Sequence, residues 1–186
     1  MTKVLNIKKI IRGIILFLLL SILVTPASYA SNTTASSIYV LKQYIRIVEY
    51  QNHIPGGLLK AIIEVESGFN PYALNINGKT MTVSDRTEAI HIIRNALNAG
   101  ITNIDIGVGQ INYRWHGDNF KGIEEMLNPV INIEYAGKLL SSLFKEHGDW
   151  FKALKYYHSA KAQYQLPYSK KIFVAWLGDG NYSTKF

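Results

Sequence analysis

Apolar residues recur at helical spacing through most of this chain, and glycine or proline punctuates the runs. Ile38, Leu41, Ile45 and Val48 form one stripe, and Leu59, Ile62 and Ile63 a second. Ala89, Ile92, Ile93 and Ala96 form a third, and Ile133, Ala136, Leu140 and Leu143 a fourth. Each stripe gives a helix one apolar face. Gly68 with Pro71, Gly100 and Gly148 stop the second, third and fourth. The pattern predicts helices from Ile38 to Gln51, from Pro55 through Glu66, after Asp85 and from Asn132 to His147. Asp149 caps a further helix with Trp150, Ala153, Leu154 and Tyr157 on one face, and Pro167 opens a last one carrying Ile172, Phe173 and Trp176.

Residues 73–84 break this period. Asn77-Gly78 stands between ALNI and KTMTV, a hairpin signal. Asp85 with Glu88 reads as a capping box, and residues 101–112 as an extended piece entering a glycine turn. The expected fold class is α+β, mostly α-helical, with one small β-hairpin or sheet.

Residues 1–30 stand apart from this pattern. Lys3, Lys8, Lys9 and Arg12 precede the apolar run Ile14–Val24; Ser28 and Ala30 then sit at the −3 and −1 positions of a cleavage site. This is the build of a secretory signal peptide, with residues 31–186 as one domain and 31–37 a loose polar start. The alternative is an uncleaved membrane anchor; either way the domain is expected outside the cytoplasm, in the periplasm. Removing 30 of 186 residues leaves 156, enough for one core. It also removes four of the 20 basic residues, leaving 16 against 13 acidic, a net charge of +3. That suits an anionic polymer such as a cell wall and is too weak to argue for nucleic acid. The chain has no cysteine, so packing alone must hold an exported fold together.

One carboxylate sits where carboxylates are rare. Leu59, Ile62 and Ile63 precede Glu66 by seven, four and three residues, so Glu66 shares the apolar face of its helix. Burial and the negative end of the helix dipole both favour the protonated form, the state a general acid needs. Its neighbour Glu64 follows Lys60 by four residues and reads as a solvated ion pair.

Glu66-Ser67 followed by Pro71, Gly107-Val108-Gly109-Gln110-Ile111-Asn112, and Tyr156-Tyr157-His158-Ser159 occur in that order. They resemble the three motifs of the lytic transglycosylases of the soluble (SLT) type, which share the goose-type lysozyme fold. Val108-Gly109 replaces the usual Leu-Met, and His158 stands where the family has Asn. The long segment 75–103 with its hairpin, followed by Asp105, resembles the branch that serves conjugation, pilus and type IV secretion systems. The resemblance implies cleavage of the β-1,4 bond between N-acetylmuramic acid and N-acetylglucosamine in peptidoglycan, without water and without a cofactor. One residue acts as acid and then as base while the C6 hydroxyl closes a 1,6-anhydro ring. An ordinary glycosidase needs two carboxylates.

On this resemblance Glu66 is the catalytic acid. Gln110 lies in the cleft or is a surface turn residue, Gly107 and Gly109 let the backbone approach the glycan or make an ordinary turn, and the Tyr157 hydroxyl reaches Glu66, belongs to the core with a backbone partner, or does both. Ser67 orients the acid or closes the helix, and Asn112 binds an acetamido group or caps a turn. Asp105 either accepts backbone hydrogen bonds before the glycine turn, the commoner setting, or positions a water and makes the enzyme a hydrolytic muramidase. Tyr113 and Trp115 stack on sugars or belong to the core or rim. His116 and His158 have no ligand cluster around them, so no metal is expected. The partners implied are peptidoglycan strands and components of a secretion or conjugation apparatus, with a membrane only if the leader stays. An inactive peptidoglycan-binding assembly protein is the remaining alternative.

Overall fold

The computed structural model describes residues 26–158 and 162–178. Residues 1–25 of the expected leader and Ser159 of the third motif lie outside the described residues. The first helix, α1 (Pro26–Gln51), begins earlier than the stripe predicts: residues 31–37, expected loose, are helical. No glycine or proline interrupts the chain between Ala27 and Gln51, and their absence lets a helix run on. The chain forms two units, one ending at Tyr39 and one beginning at Val40. Among the described residues, no helix is long and apolar enough to cross a membrane.

Near its end α1 turns Glu49 inward, where it is 2% exposed. Its two carboxylate oxygens accept the N–H groups of Gly57 (2.9 Å) and Lys60 (3.0 Å). These belong to the first turn of α2 (Leu58–Ser67), whose N-cap residue is a glycine with no side chain to offer. Glu49 therefore caps α2 from the preceding helix, and its charge meets the positive end of the helix dipole. Pro55 does not open α2: it lies in the turn before it, its carbonyl accepting the Leu58 N–H, because Gly57 at φ +84° is not helical. Leu58, Leu59, Ala61, Ile62 and Ile63 bury the apolar face, and Gly68 in the left-handed region ends the helix as predicted.

Four short strands form one antiparallel sheet: β1 (Leu74–Ile76), β2 (Lys79–Met81), β3 (Ile104–Ile106) and β4 (Ile111–Asn112), in the order β2-β1-β3-β4. Asn77 (φ +52°) and Gly78 (φ +87°) make the predicted hairpin turn of the primed type. The stretch 101–112 supplies the other two strands. Leu74, Ile104, Ile106 and Ile111 are buried. Between them the register sets Thr80 opposite Asn75, Asn75 opposite Asp105 and Asp105 opposite Asn112. Directly opposed residues share a face, so these four form a polar row across the sheet.

Helix α3 (Arg86–Asn98) connects β2 to β3. Asp85 accepts the Glu88 N–H (2.9 Å), and the Glu88 carboxylate accepts the N–H and hydroxyl of Ser84 (2.7 and 2.6 Å), so the box closes as predicted, one residue further out. After α4 (Tyr113–His116) and α5 (Ile123–Met126), α6 (Pro129–His147) starts ahead of Asn132, with Asn128 as cap and Pro129 in the first turn. Asp149 caps α7 (Trp150–His158), accepting the Lys152 N–H at 2.8 Å. The last helix, α8 (Ala162–Gly178), runs through Pro167 rather than starting at it. The lost backbone bond is offset by burial of Tyr168, Ser169 and Ile172 just beyond. Helix α7 packs on α6 and α8, and α8 on α2, which brings three separate motifs to one place.

Candidate active site

Glu66 lies in the last turn of α2 and lines a cavity of about 320 Å³. The helix walls contribute Glu66, Ser67, Tyr157 and His158; the sheet wall contributes Asn75, Thr80, Met81 and Asp105. Burial pushes the Glu66 pKa up, the Tyr168 hydroxyl pulls it back, the charge of Asp105 raises it and Lys171 lowers it, for a value of about 7. Desolvation, rather than the helix dipole, is the leading cause. Glu64 is exposed, with Lys60 Nζ 3.9 Å away, as its spacing predicts.

Two tyrosines bear on Glu66, and only one of them belongs to the motif. The Tyr157 hydroxyl lines the cavity but donates to the carbonyl of Gly109 at 3.0 Å. Tyr168 of α8 interacts with the Glu66 carboxyl as well, and the charge of that carboxyl also raises the Tyr157 pKa. The Tyr168 hydroxyl is buried and stands outside strict hydrogen-bond geometry, with no full partner. Its ring stacks on His158, centroids 4.1 Å apart and planes 7° from parallel. Burial lowers the His158 pKa, which favours a neutral ring beside the cavity. The sequence offered one signal for Tyr168: a tyrosine directly after Pro167, on the face shared with Ile172. Ser67, also in the wall, donates its hydroxyl to the Ile63 carbonyl (3.1 Å).

The glycine motif forms the turn between β3 and β4. Gln110 lines the cavity with φ +49°, unusual for a residue with a Cβ. Its side-chain amide donates to the carbonyls of Ala73 (3.0 Å) and Gly107 (2.9 Å) and so braces the turn against the start of β1. The room left by the two glycines is taken by protein. A Cβ on Gly107 would stand 2.8 Å from Asn132 Nδ2, and one on Gly109 3.1 Å from Asn132 Oδ1 and 3.2 Å from the Tyr157 hydroxyl. Asn132, for which the helical spacing predicts no role beyond opening a helix, is fully buried.

Asp105 belongs to the sheet wall. It accepts a hydrogen bond from the Asn112 side chain (2.7 Å), not the backbone bonds expected before a glycine turn. Burial raises its pKa and the Asn112 bond lowers it. Asn112 also donates to Asn103 Oδ1 (3.0 Å) and caps α4 through Arg114 N–H (3.1 Å). The Asn75 Oδ1 is buried without a partner. Trp115 is 73% exposed, which excludes a core role, and His116 meets the Tyr135 hydroxyl at 3.0 Å. Among the described residues, no three His, Asp or Glu side chains gather as metal ligands.

A cleft between a helical wall bearing one raised carboxyl and a small polar sheet is consistent with a lysozyme-like fold. The chain belongs to the SLT transglycosylase family: the model of the transglycosylase SLT domain matches residues 43–170. It is similar to Protein IpgF of Shigella sonnei and Protein IpgF of Shigella flexneri, 31% identical to each over 134 residues, 67% of this chain and 73% of each relative. No solved structure matches the chain.

Proposed function

We propose that the protein is an exported peptidoglycan lytic transglycosylase in which Glu66 is the single acid and base. The observation that carries this reading is the Glu66 carboxyl, held at a pKa of about 7 in the wall of the cavity. Near neutral pH both protonation states are populated, as a group that must give and retake a proton requires. Protonated Glu66 delivers its proton to the glycosidic oxygen between N-acetylmuramic acid and N-acetylglucosamine, and the bond from that oxygen to C1 breaks. The substrate's own acetamido oxygen supports C1. The Glu66 carboxylate then takes the proton from the C6 hydroxyl, whose oxygen bonds to C1 and closes the 1,6-anhydro ring. Glu66 ends protonated, as it began, and no water is consumed.

The basic, apolar leader supports export to the periplasm, and the hairpin-bearing insert supports local wall opening for a secretion or conjugation apparatus. A second reading, a hydrolytic muramidase on the same bond, is favoured by one observation: Asp105 faces the same cavity beside Asn75 and could orient a water. Digestion of purified sacculi by wild type and Glu66→Gln, followed by mass analysis, tests both. The transglycosylase should release muropeptides with 1,6-anhydro ends, and Glu66→Gln should release about a thousandfold less. Reducing ends instead would establish the muramidase. Binding of sacculi with no fragment released by wild type would establish a binding protein.

A further inference from the structure

Asn132 is a buried amide in the apolar stripe of α6, and its three hydrogen bonds converge on the cleft loop. Its N–H groups donate to the carbonyls of Ile106 (3.0 Å) and Met126 (2.8 Å), and its oxygen accepts the Gly109 N–H (2.8 Å). One side chain thus joins the end of β3, the end of α5 and the glycine turn. An apolar residue of similar size would fill the space but strand three buried backbone groups. The Gly109 peptide is also held from both sides, its N–H by Asn132 and its carbonyl by Tyr157. Gln110 follows directly in a left-handed conformation, which is unfavourable for a residue with a Cβ. Such a conformation persists where the surroundings over-determine it.

We propose that Asn132 is a positioning residue: by clamping the Gly109 peptide it holds Gln110, and the Asp105 strand beside it, in register with Glu66. Its catalytic consequence rests on the function proposed above. The clamp leaves little room for a side chain at either glycine of the motif: a Cβ would stand 2.8 Å from the Asn132 amide at Gly107 and 3.1 Å from it at Gly109.

The test is a double-mutant cycle between Asn132→Ser and Gln110→Ala, with kcat and KM measured on glycan strands well below the unfolding temperature. Backbone amide exchange is followed in the same proteins. Asn132→Ser alone should lower kcat about a hundredfold, the penalty of a misplacement near 1 Å, with KM little changed. In the Gln110→Ala background the same substitution should add little, because the loss is already expressed. Exchange should accelerate at Gly109 and Gln110 while the α2 core stays protected. An unchanged kcat with only a lowered melting temperature overturns the proposal, as does a full hundredfold loss without Gln110. Should Asn132→Ser not fold, Gly109→Ala presses on the same amide from the other side and is expected to give the same signature. If wild type releases nothing from sacculi, the proposed function fails, yet the exchange data still decide the clamp: protection kept at Gly109 in Asn132→Ser refutes it.

Discussion

The two walls of the cavity treat their carboxylates differently. Glu66 stands at the end of an apolar helix, where Tyr157 and Tyr168 feel its charge. Asp105 stands in a polar row, beside Asn75 and bonded by Asn112. Burial raises both pKa values, but Asp105 accepts a 2.7 Å hydrogen bond that favours its anion, whereas the buried Tyr168 hydroxyl that interacts with Glu66 has no full hydrogen bond. The same cavity therefore gives one carboxyl the character of an acid and the other that of a fixed charge. That fixed charge is felt across the gap, since it helps to keep Glu66 protonated.

The largest effect that would break this contrast is on stability. The folded-state pKa of Glu66, about 7, lies above the ordinary 4.5, so the folded chain holds this proton more tightly than the unfolded one. This group costs nothing below the unfolded value; its burden grows as pH rises to about 7 and reaches about 3 kcal/mol beyond. Glu66→Gln should therefore melt at a higher temperature than wild type at pH 8 and match it near pH 4. A variant that gains nothing at pH 8 would mean the carboxyl is better solvated than its place in the cavity requires. Next comes the support behind the helical wall. Glu49→Ala strips the cap from α2 and should cost about 1–2 kcal/mol in urea unfolding. A smaller loss would mean that water replaces the carboxylate at Gly57 and Lys60.

Asp105→Asn tests the sheet wall. If Asp105 is a fixed charge, the rate should change by less than about tenfold, or 1.4 kcal/mol. The anhydro products should persist. Activity that needs protonated Glu66 falls as pH rises through about 7, and without the Asp105 charge that fall should move to lower pH. Loss of all turnover would instead give Asp105 a direct part. The smallest effect is expected at the hairpin: Gly78→Ala, at φ +87°, should cost about 1 kcal/mol and leave kcat intact. A drop in kcat there would show that the Thr80 edge of the row takes part in positioning substrate.

Much of this was legible in the residue pattern because it is local. The helical stripes, the Asn77-Gly78 turn, the Asp85 box and the Gly68 stop each depend on neighbours a few residues away. So does the place of Glu66 on its apolar face. Two expectations fail where distant chain intervenes, and a third for a local reason. Pro55 looked like a helix start, but Gly57 and the remote Glu49 set the boundary. Pro167 looked like another, but packing carries α8 through it. Residues 31–37 looked loose by composition, yet no breaker separates them from α1.

The sequence by itself determined the classes of element, their order and the one carboxylate placed against apolar surface, since periods of two and 3.6 residues are written along the chain. Only the tertiary structure decided that Tyr168 joins Tyr157 at Glu66, that Asp105 faces the same cavity, and that Asn132 fills the room the motif glycines leave. Those facts depend on which elements meet and at what register. Hydrogen bonds spanning 23 to 48 residues of chain, such as Gly109 to Asn132 and Tyr157 to Gly109, have no signature in local spacing.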